Sequence, residues 1–254
     1  MSWNRAVCEM DNGPASRAAI GLLALSSDTV SEPEVSAFLP QQGIGFYTSR
    51  VPMSDIATVE SLASMKPSIK AAADLLVPSD NIDVIAYGCT AAAILIGSDN
   101  IKQTIQATRK TPVAYSDPML AGLTALRTLN CQRIVLLTPY IDDVGDVVST
   151  HFEQQNITVV DKASFKKSGD PEIARISPHS IYQAAVNLAQ DKEIDALFIS
   201  CTALRVFDVL ESIEQKIGKP VISSNQALAW HCLRLAGDNS ILENRGQLFR
   251  TALA

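Results

Sequence analysis

Two short tracts constrain this chain more than any other feature: DVIAYGCT at residues 83–90 and DALFISCT at residues 195–202. Each opens on Asp, runs through an apolar stretch and closes on Cys-Thr, and their cysteines lie 112 residues apart. The same 112-residue offset relates Asp28, behind the apolar run Ala18–Ser26, to Tyr140, behind the run Arg133–Thr138. The segments TPVAYSD and KPVISSN both open on Pro-Val at an offset of 108, and the patterns behind them share Leu126-Arg127 and Leu233-Arg234. Each match is weak by itself. Several in one order at nearly one offset describe a repeated unit.

The unit is an apolar, branched run, a polar turn and an Ala/Leu-rich helical pattern. Strands are expected at Ala18–Ser26, Gly43–Val51, Asp83–Tyr87, Pro112–Ser116, Arg133–Thr138, Ile157–Ser164, Asp195–Ser200 and Pro220–Ser223. Helical patterns lie between them at Met53–Leu76, Ala91–Thr108, Asp117–Leu129, Asp143–Gln155, Pro178–Gln190 and Thr202–Ile217. Continuous apolar strands alternating with helices imply parallel sheets covered on both faces. The expected fold class is therefore α/β with two related lobes. Residues 1–16 read as an irregular tail, and the helices from Gln226 onward either cap their own lobe or cross back to the first.

Apolar residues make up 47% of the 254 and charged residues 19%, enough apolar material for a core and against disorder. A net charge of −6 argues against nucleic acid, which needs a clustered basic face. No apolar run approaches the roughly 20 residues of a membrane span. Met1–Pro14 has no apolar leader core, so no signal peptide is read and the cytosol is expected. The five cysteines are an odd number without a CxxC pair, and the three histidines stand apart, so neither a disulfide framework nor a metal site is expected. Gly43-Ile44-Gly45 lacks the remaining glycine of a dinucleotide fingerprint, and no cofactor is expected. The chain is compatible with a homo-oligomer.

Ligands of parallel α/β sheets bind beyond the carboxyl ends of the strands, where helix N-termini point. Cys89 and Cys201 are each expected at such a strand-to-helix turn, near unpaired N–H groups that favour a thiolate and cradle a carboxylate. Helix N-termini lower a thiol pKa from about 8.5 to below about 7.5. Cys8, Cys131 and Cys232 read as small buried residues. Two thiols meeting across one cleft support two reactions on a small carboxylate. One thiolate removes a Cα proton while the other thiol returns one to the opposite face, or one thiolate adds to an activated C=C bond and leaves after rotation.

The tracts GCT at Gly88–Thr90, SCTALR at Ser200–Arg205, GKPVISSNQALAWHCLRLAG at Gly218–Gly237, EIARISPHSI at Glu172–Ile181 and LTPY at Leu137–Tyr140 resemble the Asp/Glu racemase superfamily. The resemblance is to its branch of maleate cis–trans isomerases, arylmalonate decarboxylases and ectoine-utilisation racemase-like proteins, and it spans roughly Ala18 to Gly237. It implies two Rossmann-like parallel-sheet lobes related by a pseudo-dyad, with the active site in the cleft between them. On that pattern the first lobe is 17–116 plus 225–254 and the second 117–224. It also implies that Cys89 and Cys201 do the chemistry. Arylmalonate decarboxylases keep only the cysteine matching Cys201, so the pair favours a racemase or isomerase. Maleate isomerases carry Asn where this chain has Asp28, and an ionised Asp cannot donate to a second substrate carboxylate. That difference tilts the expectation toward a racemase or isomerase of a small carboxylate, such as an amino-acid derivative in ectoine utilisation. Maleate isomerase proper is the alternative, and a non-catalytic two-lobed binding protein is the alternative of another class.

Tyr140 matches the family's active-site tyrosine. Ser26, Ser27, Asp28, Thr90 and Thr202 complete the expected substrate-binding set, with helix capping the equal alternative for the threonines. Asn225 is as consistent with a turn-stabilising role. Arg205 reads as a helix-surface ion pair, Trp230 as core and Lys166-Lys167 as a solvated loop.

Overall fold

A computed structural model describes residues 3–54, 56–77 and 82–253. The expected helical span Met53–Leu76 includes residue 55, which lies outside the described residues, as do 1, 2 and 254 of the expected tail and first lobe. All eight expected strands form. The first four are β1 (Ala18–Leu25), β2 (Ile44–Val51), β3 (Val84–Gly88) and β4 (Ala114–Ser116), paired in parallel in the order β2-β1-β3-β4. The second four are β5 (Arg133–Tyr140), β6 (Thr158–Lys167), β7 (Ala196–Ile199) and β8 (Val221–Ser223), in the corresponding order β6-β5-β7-β8. Every residue of β1, β3 and β7 is buried, as strands covered on both faces require.

The helices depart from the sequence pattern at identifiable breaks. The long pattern after β2 divides into α2 (Val59–Ala63) and α3 (Lys66–Asp74), where Pro67 sets the start of the second. The pattern after Cys89 divides into α4 (Thr90–Ile96) and α5 (Ser98–Gln106) at Gly97, whose φ of +88° ends one helix and begins the next. Four further elements lay outside the expected set or were only sketched by it: α1 (Ser31–Phe38), α8 (Asp170–Ile173), α11 (Ser224–Leu235) and a 3-10 turn at Gln247–Arg250. Alpha helices α6 (Pro118–Thr128), α7 (Asp142–Gln154) and α9 (Pro178–Ala189) match their expected spans closely. Helix α10 does not: it covers Phe207–Ile217 and begins six residues after Cys201.

Three other expectations are corrected. Cys8 is exposed, because residues 3–16 form no helix or strand that could cover it, whereas Cys131 and Cys232 are buried. Lys166 and Lys167 belong to the end of β6, with Lys166 paired to Asp142 at the surface. Arg205 precedes α10, donates to the Ile176 carbonyl at 3.0 Å and forms no ion pair among the described residues. Trp230 is fully buried, as expected, with its indole N–H donating to the Thr251 carbonyl.

The two sheets are joined by packing and by a buried carboxylate. Helix α11 follows β8 yet packs against α1, α6, β1, β3 and β4. Glu34, on α1, reaches the N-terminus of α10: its Oε1 accepts from the N–H groups of Val206 and Phe207, the latter at 2.6 Å. Its Oε2 accepts from Asn225 Nδ2 at 2.5 Å. The carboxylate thus satisfies orphan helix donors and sits at the favourable end of the α10 dipole. Burial nevertheless pushes its pKa from 4.5 up to about 7, the Asn225 and backbone donors acting in the opposite sense.

Glu34→Ala is expected to destabilise the fold by about 2 kcal/mol, since it leaves buried N–H donors without an acceptor, measured by urea unfolding. The raised pKa means that between pH 4.5 and about 7 the folded state holds a proton the unfolded state has lost. The contribution of this group to stability therefore falls as pH rises through that window. Glu34→Gln is expected to flatten that slope, and an unchanged slope would show that the titration arises elsewhere.

Candidate active site

The site is assembled from the carboxyl ends of the two middle strands of each sheet. In the first sheet, β1 leads to Ser26, Ser27 and Asp28, and β3 leads to Cys89. Ala24 and Gly88 are register partners, so these turns are neighbours. In the second sheet, β5 ends at Tyr140 and β7 leads to Cys201, with Leu137 opposite Ile199. Strand order reverses direction at these positions in both sheets, which is where a parallel α/β sheet opens a crevice.

Hydrogen bonds tie the two sets of turns together. Thr202 Oγ1 donates to the Gly88 carbonyl at 3.2 Å, linking the residue after one cysteine to the residue before the other. Thr90 Oγ1 shares a 2.9 Å hydrogen bond with Ser224 Oγ, which also accepts from the Cys201 N–H at 3.0 Å. Ser27 Oγ donates to Asp170 Oδ2 at 2.6 Å, joining the turn after β1 to the start of α8. The seam between the cysteine turns is closed in this conformation, with Cys89 only 7% and Cys201 only 5% exposed. A cavity of about 340 Å³ lies alongside, lined by Thr138, Tyr140, Gly145, Lys162 and Ser164, so Tyr140 borders both that space and the Cys201 thiol.

The thiols do not have the same setting. Cys89 is the N-cap of α4, without a side-chain cap hydrogen bond, and the N–H groups of Ala92 and Ala91 at the helix start act to lower its pKa. Cys201 caps no helix. It adopts a φ of +129°, a region that side chains rarely enter and that costs on the order of 1–3 kcal/mol, and its sulfur accepts from the Ala203 N–H at 3.4 Å. The expectation that these turns lower the thiol pKa is overturned. Burial pushes Cys89 up to about 12 against the opposing pull of the Ala92 N–H, with Asp170 and Asp28 adding to the rise. Burial, and then Asp170, push Cys201 well up, although the Tyr140 hydroxyl and the Ala203 N–H favour its thiolate. Desolvation outweighs a few backbone dipoles when both sulfurs are enclosed beside carboxylates.

The remaining expected residues divide. Tyr140 is buried against Cys201, and burial raises its phenol well above the usual range. Ser26 is turned away: it is exposed, and its hydroxyl accepts from the Met53 N–H at 2.9 Å, binding the end of β1 to the segment after β2. Thr90 and Thr202 engage the seam itself, so neither hydroxyl acts as a side-chain helix cap. Asn225 spans the halves, its Nδ2 donating to Glu34 and to the Thr202 carbonyl at 2.8 Å, which is more than a turn-stabilising role.

Asp28 is 1% exposed. Its Oδ1 accepts from Val30 N–H at 2.7 Å and Ser31 N–H at 2.9 Å, while its Oδ2 is buried with no hydrogen-bond partner. Asp117, the other deeply buried aspartate, provides the contrast. Its oxygens accept from Met119 and Leu120 N–H and from the hydroxyls of Ser98 and Tyr115. Sequence reasoning missed Glu34, Asp170 and Ser224. Ser224 lies inside the quoted SSNQALAWH tract and Asp170 two residues before EIARISPHSI, where Asp-Pro marks a helix start. Glu34 carried no signal beyond its place in an unrecognised helix. Among the described residues no group of three or more His, Cys, Asp or Glu is placed to hold a metal ion, and no helix is long and apolar enough to cross a membrane.

Two four-stranded parallel sheets with a cysteine behind the third strand of each define the α/β class of this chain. A family profile, arylmalonate decarboxylase, matches residues 20–249, and the chain belongs to that family. The chain is 27% identical over 242 residues to the maleate isomerase of Nocardia farcinica, covering 91% of this chain and 95% of the relative. Among solved structures, the maleate isomerase of Pseudomonas putida S16, a cysteine-to-alanine variant with maleate, superposes with a TM-score of 0.83 at 21% identity over 92% of this chain and 97% of that one. The Nocardia farcinica maleate cis–trans isomerase, a cysteine-to-serine variant with a covalently bound succinylcysteine intermediate, gives 0.78 at 22% over 92% and 98%. These likenesses establish a fold shared with maleate isomerases and arylmalonate decarboxylases.

With Cys8 removed by Cys8→Ala, alkylation of the empty enzyme is expected to be slow near neutral pH. Its rate should climb about tenfold per pH unit through the mildly alkaline range, because only the thiolate reacts. Rapid stoichiometric labelling with a plateau below neutral pH would show that one sulfur is ionised at rest.

Proposed function

We propose that the chain is a cofactor-independent cis–trans isomerase of a small unsaturated carboxylate, with Cys89 as nucleophile and Cys201 as its acid–base partner. The observation that carries this reading is the pairing of the cysteine turns through Thr202, Gly88, Thr90 and Ser224. Cys89 receives the nucleophilic role because it stands at the N-cap of α4, where the positive end of the helix favours a thiolate. Cys201 lies beside the Tyr140 hydroxyl, which relays or steadies a proton at the opposite sulfur.

In the reaction the Cys89 thiolate adds to one alkene carbon, forming a C–S bond. The π pair moves onto the neighbouring carbon and its carboxylate, where N–H donors stabilise the charge. The former double bond is now single and rotates. The pair then returns, the C–S bond breaks and the thiolate is released; Cys201 protonates the carbanion and removes that proton again if the adduct is held as a saturated thioether. The succinylcysteine seen in the Nocardia enzyme has this connectivity. Racemisation would use the same sulfurs to exchange a Cα proton, and it is the reading that the sequence alone favours. The maleate-isomerase relatives shift the weight to addition and rotation.

Cys89→Ser and Cys201→Ser are each expected to lower isomerisation on the order of a thousandfold or more while leaving thermal unfolding nearly unchanged. Proton NMR of maleate and its half-amide follows turnover, and intact-mass measurement of Cys201→Ser should show a substrate adduct on Cys89. An adduct on Cys201 in Cys89→Ser, with none in Cys201→Ser, would reverse the roles. Cα deuterium exchange in saturated amino acids without cis–trans conversion would establish the racemase instead.

A further inference from the structure

The strongest feature not used by this chemistry is a pair of carboxyl groups that the fold brings to the thiols from opposite sheets. Asp28 follows β1 and Asp170 opens α8 after β6. The Ser27–Asp170 hydrogen bond of 2.6 Å fixes Asp170 against the residue adjoining Asp28. The Ala24–Gly88 register sets the turn that carries Asp28 beside the turn that carries Cys89, and both carboxyls raise the two thiols electrostatically. Asp28 Oδ1 is held by the Val30 and Ser31 N–H groups, which leaves Oδ2 as the buried, unpartnered oxygen. No Lys or Arg side chain balances the pair among the described ion pairs, and Arg50 donates only to backbone carbonyls and Glu32.

We propose that Asp28 and Asp170 are specificity-determining residues that select a substrate whose end opposite the reacting carboxylate carries N–H donors, a carboxamide or a protonated amine, and reject a dicarboxylate. This rests on the two-cysteine reading of the same site. An N–H group supplies the missing partner for Asp28 Oδ2 and a second donor for Asp170, whereas a carboxylate there would face two acceptor-only groups of its own sign. A buried acceptor without a donor is the costly condition that such a ligand relieves. The same contact would act on the chemistry. Donors placed between the carboxyls offset the negative field that Asp170 and Asp28 impose on both thiols, so substrate binding itself assists formation of the thiolate. An enzyme whose empty site keeps its sulfurs protonated thereby gains a nucleophile when the right ligand is in place.

The test uses saturated ligands that cannot isomerise, so binding is read apart from turnover. Titration calorimetry of the full chain with succinamate and succinate near neutral pH is expected to show succinamate binding about tenfold or more tightly. Asp28→Asn and Asp170→Asn keep the side-chain shape and an acceptor for Val30, Ser31 and Ser27, and each should shift the preference toward succinate by about tenfold. Circular dichroism verifies that both variants fold. Equal binding of the two ligands, preference for succinate, or no binding of either to the unmodified protein overturns the proposal. Preserved preference for succinate analogues bearing the amide, combined with no conversion of the maleate half-amide, would instead overturn the isomerase reading and leave the selectivity standing. Retained amide preference in both Asn variants would show that neither carboxyl sets it.

Discussion

Everything functional in this protein depends on one constraint of parallel sheets: all strands in a sheet deliver their carboxyl ends to one edge. Each sheet has its middle strands adjacent, β1 beside β3 and β5 beside β7. The residues that follow them therefore emerge in pairs, Asp28 with Cys89 and Tyr140 with Cys201. Because backbone pairing cannot continue past the strand ends, the N–H and C=O groups there seek other partners, and they find them on neighbouring turns. Gly88 O is satisfied by the Thr202 side chain from the other sheet, and Cys201 N–H and Thr202 O by Ser224 and Asn225 at the start of α11. The seam is thus made of the same atoms that surround the sulfurs.

The electrostatics of the site follow from how tightly that seam closes. Helix-start N–H groups favour a thiolate, as those of Ala91 and Ala92 do at Cys89, and the Ala203 N–H in the turn after β7 does the same at Cys201. Enclosure removes the water that would otherwise solvate the charge, and Asp28 and Asp170 add like charge nearby. The net direction is upward for both thiols. Glu34 illustrates the same competition at the edge of the seam: several well-placed donors, yet a raised pKa, because burial acts on the charged form more strongly than they do. Asp117 shows how the fold treats a purely structural carboxylate, by satisfying it completely.

The family contains both isomerases and decarboxylases, and the fold alone does not choose between them. The side chains at the strand ends do. Two cysteines allow addition on one side and proton traffic on the other. The acidic pair concerns a different question, which molecule enters, and it sits beside the sulfurs without replacing them. On the proposed reading, reaction type and substrate choice are carried by different residues on the same turns.

Much of this architecture is legible in the amino-acid sequence because parallel strands are buried on both faces and write themselves as continuous apolar runs. All eight strands were readable for that reason, and the repeated Cys-Thr endings located both thiols. Helix interruptions were less readable: Gly97 breaks a pattern that periodicity alone continues, and the Thr202–Ile217 pattern shortens to Phe207 because Cys201 leaves β7 in a left-handed turn. The partners of Asp28, Ser26 and Asn225 could not be read at all. Ser26 and Ser27 are adjacent, yet one binds Met53 and the other reaches Asp170, 143 residues away. Sequence determines which groups stand at strand ends, since that follows from local pattern. Whether a carboxyl there is satisfied, orphaned or set against a thiol depends on which distant turn packs over it, and only the tertiary structure decides that.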